Sequence, residues 1–167
     1  MMHSRLLSIY LVLASVAANA ADPPQALLAA AAAGRLQQVR DLIASGLDVN
    51  GLGPGGRTAL INAAASGNLR TVRMLLAAGA DASLADARGR TALMEATIFG
   101  YAELVRLIIE SGVDVNAKDQ AGHSALKLAR IGGQTVIESL LQAAGAVGEE
   151  LPGEGASGQE KKDSQRP

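Results

Sequence analysis

Glycine recurs along this chain at a fixed interval of 33 residues. Gly34, Gly67, Gly100 and Gly133 form one series, and Gly46, Gly79, Gly112 and Gly145 form a second in its own phase. A third series, Gly56, Gly89 and Gly122, is followed two residues later by Thr58, Thr91 and Ser124. A fixed period of this length implies one supersecondary unit repeated along the chain, with neighbouring units stacked to bury a common core.

Local chemistry builds each unit. Thr58, Thr91 or Ser124 can cap a short helix that carries Leu60, Leu93 or Leu126 and the small Ala63, Ala96 or Ala129, which let neighbouring helices approach closely. The glycine at 67, 100 or 133 permits the left-handed residue that ends it. A second helix follows, with apolar residues at helical spacing such as Val72, Leu75 and Leu76, or Val105, Ile108 and Ile109, and it stops at Gly79 or Gly112. Between units, stretches such as "VNAKDQAGH", with Asn116, Asp119 and Gly122, suit a tight projecting turn. Asp48, Asp81 and Asp114, one per unit, suit helix-terminating turns better than a metal or paired-carboxylate site.

The segments "TALINAA", "TALMEAT" and "SALKLAR", with the endings "GLDVN", "GADAS" and "GVDVN", resemble the ankyrin repeat over roughly residues 22 to 146. The resemblance implies an all-α solenoid of about four helix-turn-helix units, near 22–50, 51–83, 84–116 and 117–146, stacked side by side with projecting turns. Alanine (Ala59, Ala92, Ala125) stands where the family has proline, and Ile61, Met94 and Lys127 stand where it has histidine. The turn hydrogen bonds of that histidine are therefore missing. A terminal unit must replace inward apolar groups with polar ones. Val39, Val72 and Val105 are succeeded by Glu138, and Ile43, Leu76 and Ile109 by Gln142, so the domain ends near residue 146. The first unit lacks the turn half of its repeat and reads as the other cap.

Composition narrows the function. The apolar content is 49%, mostly Ala and Leu, and there is no cysteine, which excludes disulfides, thiolate metal sites and cysteine nucleophiles. Residues 21–147 hold eleven basic and eleven acidic side chains without a run of one sign, so the basic stripe that meets nucleic acid is lacking. No zinc, calcium or phosphate-loop spacing occurs, and neither a cofactor nor a metal is expected. No segment after the leader combines a basic and a wide apolar face, so membrane binding is not expected, and the protein alone is expected to be a monomer.

The start and the end of the chain differ from its middle. Arg5, an apolar run from Leu6 to Ala17, and Ala18-Asn19-Ala20 match a secretory leader (1–20) cleaved after Ala20. Asp22, Pro23 and Gln25 would then open the first helix of a domain spanning 21–146. Residues 147–167, rich in Gly, Glu, Ser and Lys, are expected to form a disordered tail.

In ankyrin repeats the residues before the central glycine lie on the concave side. The resemblance places the flanking turn residues beside them. Ile98 and Phe99 would then sit beside Arg88 and Arg90 in the third unit. The second unit offers Ser66, Arg57 and Pro54 there, and the fourth offers Ile131 and His123. Phe99 and Tyr101, the only aromatics after the leader, admit two readings. They anchor a partner, or Phe99 fills space above Gly132 while Tyr101 packs on the second helix. The resemblance implies a protein-protein interaction module, similar to small exported bacterial ankyrin proteins and therefore periplasmic in a Gram-negative bacterium or secreted. Its partner is an unknown protein: an exported enzyme it supports or a toxin it neutralises. A hydrolase built on His123, Ser124 and Asp119 is the alternative from another class, although a loop tip does not hold a base and its orienting acid as a triad requires.

Overall fold

The structure is a computed structural model that describes residues 23–148. The leader, Asp22 as a cap, and the tail from residue 149 lie outside the described residues. Within them are eight α-helices: α1 (Pro23–Ala32), α2 (Leu36–Ala44), α3 (Ala59–Ala65), α4 (Leu69–Ala77), α5 (Ala92–Ile98), α6 (Ala102–Glu110), α7 (Ala125–Ile131) and α8 (Thr135–Ala143). A single 3-10 turn, Pro54–Gly56, precedes α3. Among the described residues extended pairing is limited to isolated bridges, Ala85 with Thr91 and Lys118 with Ser124. The fold is all-helical, as the repeat pattern implies.

The helix boundaries follow from the residues at them. The hydroxyls of Thr58, Thr91 and Ser124 accept from the amides of Ile61, Met94 and Lys127 at 3.2, 3.3 and 3.3 Å, which satisfies one of the orphan donors at each start. Every described residue with positive φ is a glycine, and all eleven glycines of the three series are among them. At Gly100 (φ 77°) the reason is visible. With the chain turned left-handed there, its amide reaches the Thr97 carbonyl at 3.1 Å and the next amide, of Tyr101, reaches Ala96 at 2.9 Å. Two carbonyls at the end of α5 gain partners through this closure.

The chain divides into two compact units, Met1–Asp81 and Ala82–Pro167. In the first, α1 packs on α3 and α2 on α4, so two helix pairs share one core of Leu27, Leu60, Val39, Val72 and Leu75, each 1% exposed or less. Fully burying a Leu or Val stabilises by about 1.5–3 kcal/mol relative to leaving it exposed. Ala30 and Ala63 line the same contact at 1% and 0% exposure, and their small size permits the close approach. Two amide side chains tie the pairs together. Asn68 Nδ2 donates to the carbonyls of Ala31 and Ala32 at 3.1 and 2.8 Å, and Asn50 Oδ1 accepts from the Asp81 amide at 2.8 Å.

The second unit repeats this plan, with α5 on α7 and α6 on α8 around Leu93, Met94, Val105, Ile108 and Leu126. Gln134 Nε2 donates to the Ile98 carbonyl at 3.3 Å, the role Asn68 has in the first unit. Asn116 accepts from the Val147 amide at 2.8 Å and donates to the Gly145 carbonyl at 3.3 Å. Where Val39, Val72 and Val105 are fully buried, Glu138 is half-buried and takes Arg130 Nε at 2.9 Å, while Gln142 is exposed. These polar groups stand where the sequence expects a cap.

The turns of this unit are held by aspartates in place of the family histidine. Asp86 Oδ1 accepts from the amides of Arg88 and Arg90 at 2.8 and 3.0 Å, and Asp119 Oδ1 from those of Ala121 and His123 at 2.9 and 2.8 Å. Successive turns are then stapled. The Gln120 amide and Nε2 donate to the carbonyls of Arg88 and Ala87 at 2.9 and 2.8 Å. Asp48 and Asp114 serve turns too, each accepting from the amide two residues on, at 2.9 Å.

Candidate functional site

The residues the sequence singles out fall at two kinds of place: the turns that precede the first helix of each pair, and the C-terminal ends of those helices. In the second unit Arg90 lies before the cap of α5 and Phe99 is the residue that ends it. The seven residues of α5 that lie between them span about 10 Å of helix. Arg88 and Arg90 therefore do not flank Ile98 and Phe99, as the resemblance implies. They sit at the opposite end of the helix.

The turn arginines at equivalent positions are engaged by their own unit. Arg57 Nε donates to Asn62 Oδ1 at 2.6 Å, and Arg90 Nη1 stands 3.9 Å from Glu95 Oε1, with Glu95 only 5% exposed. Both arginines are half-buried and reach a polar side chain five residues on, across the cap and onto the first helix. Glu95 is the residue sequence reasoning missed. Its signal was the same 33-residue interval, Asn62 to Glu95, carried by polar residues. Arg88 is exposed at its turn tip.

In the first unit, Gln25, Leu28 and Ala29 of α1, Pro54 and Arg57 of the turn, and Asn62 of α3 surround a recess of about 320 Å³. Arg57 and Asn62 supply its polar wall. Ser66, at the far end of α3, is exposed.

The second unit carries an apolar edge. Phe99 is 54% exposed, which decides against the reading of it as core filler above Gly132. Its ring stacks on that of the half-buried Tyr101 with centroids 6.2 Å apart and planes at 23°. Ile98 is half-buried, and Ile131, its equivalent in α7, is 63% exposed. Because α5 packs on α7, with helix axes at about 8–10 Å in such packing, Ile98 and Ile131 end neighbouring helices. At the register of Tyr101 the four repeats carry Arg35, Asn68, Tyr101 and Gln134.

His123, Ser124 and Asp119 come together without forming hydrolytic machinery. His123 Nδ1 is 3.5 Å from Asp119 Oδ2, but the Ser124 hydroxyl is committed to the Lys127 amide, and among the described residues no hydrogen bond joins it to the imidazole. Burial is the largest influence on Asp119 and raises its pKa. The amides of His123 and Ala121, with the imidazole of His123, together outweigh it and hold the carboxyl below the usual aspartate range. It is a turn anchor kept ionised, not an acid poised to exchange protons. Among the described residues no cluster of three or more His, Asp or Glu could hold a metal ion, and no helix is long and apolar enough to cross a membrane.

Compared with models of known families, the chain matches the one described as ankyrin repeats (3 copies) over residues 5–86, 27–119 and 78–149. No curated protein matches it.

Proposed function

The chain belongs to the ankyrin-repeat family, whose members are generally protein-protein interaction modules and typically not enzymes, and we propose that it binds a partner protein outside the cytoplasm. The Phe99–Tyr101 pair with Ile131 carries this reading. A stacked aromatic pair, with Phe99 half in solvent, beside a second exposed aliphatic is the kind of anchor that dominates interfaces. The Arg88 tip and the recess at Arg57 supply polar contacts in their own units. Residues 1–20 support export, to the periplasm of a Gram-negative bacterium or beyond the cell.

A photo-crosslinking residue at position 99 or 131, introduced into the full chain in cells, should give the same partner adduct, and one at Arg106 should give none. Phe99→Ala should weaken capture of that partner by about 2 kcal/mol or more while the protein stays folded. Adducts of equal yield from all three positions would refute the assignment of this edge. N-terminal sequencing of the exported protein should begin at Ala21. A resident enzyme in the adduct supports an accessory role, and a toxin supports neutralisation.

A further inference from the structure

The second helices of the first unit carry a groove that the partner edge does not use. Between α2 and α4 lies an open cleft of about 550 Å³ floored by Leu36, Ile43, Met74 and Ala77 and rimmed by Arg40, Arg70 and Arg73. Leu36, Arg40 and Ile43 follow one another at i, i+4 and i+7 on α2, and Arg70, Arg73, Met74 and Ala77 at i, i+3, i+4 and i+7 on α4. Each helix thus shows a second stripe at helical spacing, turned away from the core that Val39, Val72 and Leu75 fill.

The charges on this face are unbalanced by construction. Arg40, Arg73 and Arg106 repeat at 33-residue intervals, but on α6 Arg106 has Glu103 three residues before it and Glu110 four after. On α4 the position of Glu103 is Arg70, and that of Glu110 is Ala77. Two like charges three apart on one helix destabilise it slightly, and α4 carries no acid to offset them. The acid of α2, Asp41, is not part of the cleft and accepts from Gln37 Nε2 at 2.8 Å. Arg40 meets Gln37 at 3.4 Å, and no carboxylate lines the groove.

We infer that this groove is a docking site for an amphipathic, acidic helix of a partner protein, its apolar stripe on Leu36, Ile43 and Met74 and its carboxylates on Arg40, Arg70 and Arg73. The groove runs along helices of nine residues, about 13 Å, which matches two to three turns of a third helix laid between them. Guanidinium forks suit carboxylates in particular. The cleft is open along its length, which favours a helix, with its own backbone satisfied, over a lone acyl chain.

The probe is a fluorescein-labelled 18-residue peptide with Leu at i, i+3, i+4 and i+7 and Glu on both flanks, titrated against the full chain by anisotropy. It should bind, weaken as salt rises, and lose at least about tenfold in affinity to Arg40→Glu/Arg70→Glu/Arg73→Glu. The Arg→Gln triple variant should fall between and carries the test if the charge-reversed protein does not fold. Phe99→Ala should leave peptide binding unchanged, which separates this groove from the proposed partner edge. Equal binding by the arginine variants would overturn the inference. So would equal binding of a Lys-flanked peptide, or binding of phosphatidylglycerol vesicles in place of the peptide.

Discussion

Asp119→Ala tests whether the projecting turn is held by a charge or only by its backbone. In the structure Asp119 is 8% exposed and its Oδ1 accepts two amide hydrogen bonds, at 2.9 and 2.8 Å, with the His123 imidazole 3.5 Å from Oδ2. Hydrogen bonds to a charged acceptor contribute about 1.5–3 kcal/mol each, and water entering the space the side chain vacates can take up part of them, so the loss should be about 2–3 kcal/mol in total. Asp119→Asn keeps an acceptor without the charge and should lose about 1 kcal/mol. The pH dependence follows from the depressed pKa. Between the folded and the unfolded value the unfolded chain binds more protons, so stability rises with pH there. The contribution is complete above about pH 4, the unfolded value, and disappears as pH falls through the lower folded one. Urea unfolding followed by circular dichroism, at pH 7 and near pH 2, should show the gap between wild type and Asp119→Asn closing on acidification. A gap of the same size at both pH values would refute the electrostatic reasoning, and an Asp119→Ala protein as stable as wild type at pH 7 would refute the anchoring role.

Two further substitutions probe the ties between repeats. Gly89→Ala and Gly122→Ala share a left-handed residue (φ 75° and 77°), which costs about 1–2 kcal/mol, but only at Gly89 would the new Cβ lie 3.0–3.2 Å from backbone atoms of Asp119 and Gln120. Gly89→Ala should therefore be the more destabilising of the two by about 1 kcal/mol or more, measured by urea midpoint, and equal losses would mean that the turns are not in contact. Asn68→Asp, which removes the donor to Ala31 and Ala32 but keeps the shape, should cost about 1–3 kcal/mol in thermal unfolding, no less than Asn68→Ala. A fully stable Asn68→Asp protein would assign the tie to packing alone.

What the sequence made legible is what local chemistry determines. A cap at Thr91 and a left-handed Gly100 depend on the few residues around them, so repetition every 33 positions declared both, and the alternation of Val105 with Glu138 declared where apolar neighbours end. Side chains that act across a boundary were not declared. Arg57 and Arg90 reach Asn62 and Glu95 at a spacing of five, outside the i, i+3 and i, i+4 neighbours of a helix face, because the helix cap intervenes and turns the chain. Read by family position alone, Arg57 becomes a partner contact beside Ser66, and Arg90 one beside Phe99. Their geometry makes them ties from turn to helix, a helix length away. Phe99 itself ends α5, where the 3.6-residue period no longer predicts which way a side chain faces, so its exposure follows from the packed fold and not from the pattern. The same logic separates the two faces proposed to bind. At Tyr101 a ring stands where the neighbouring repeats have Asn68 and Gln134, and at Arg70 a cation stands at the position that α6 fills with an acid. In a repeat, the residue that breaks the period is not required by the fold, and this makes both positions, rather than Arg57 and Arg90, the places to look for a partner.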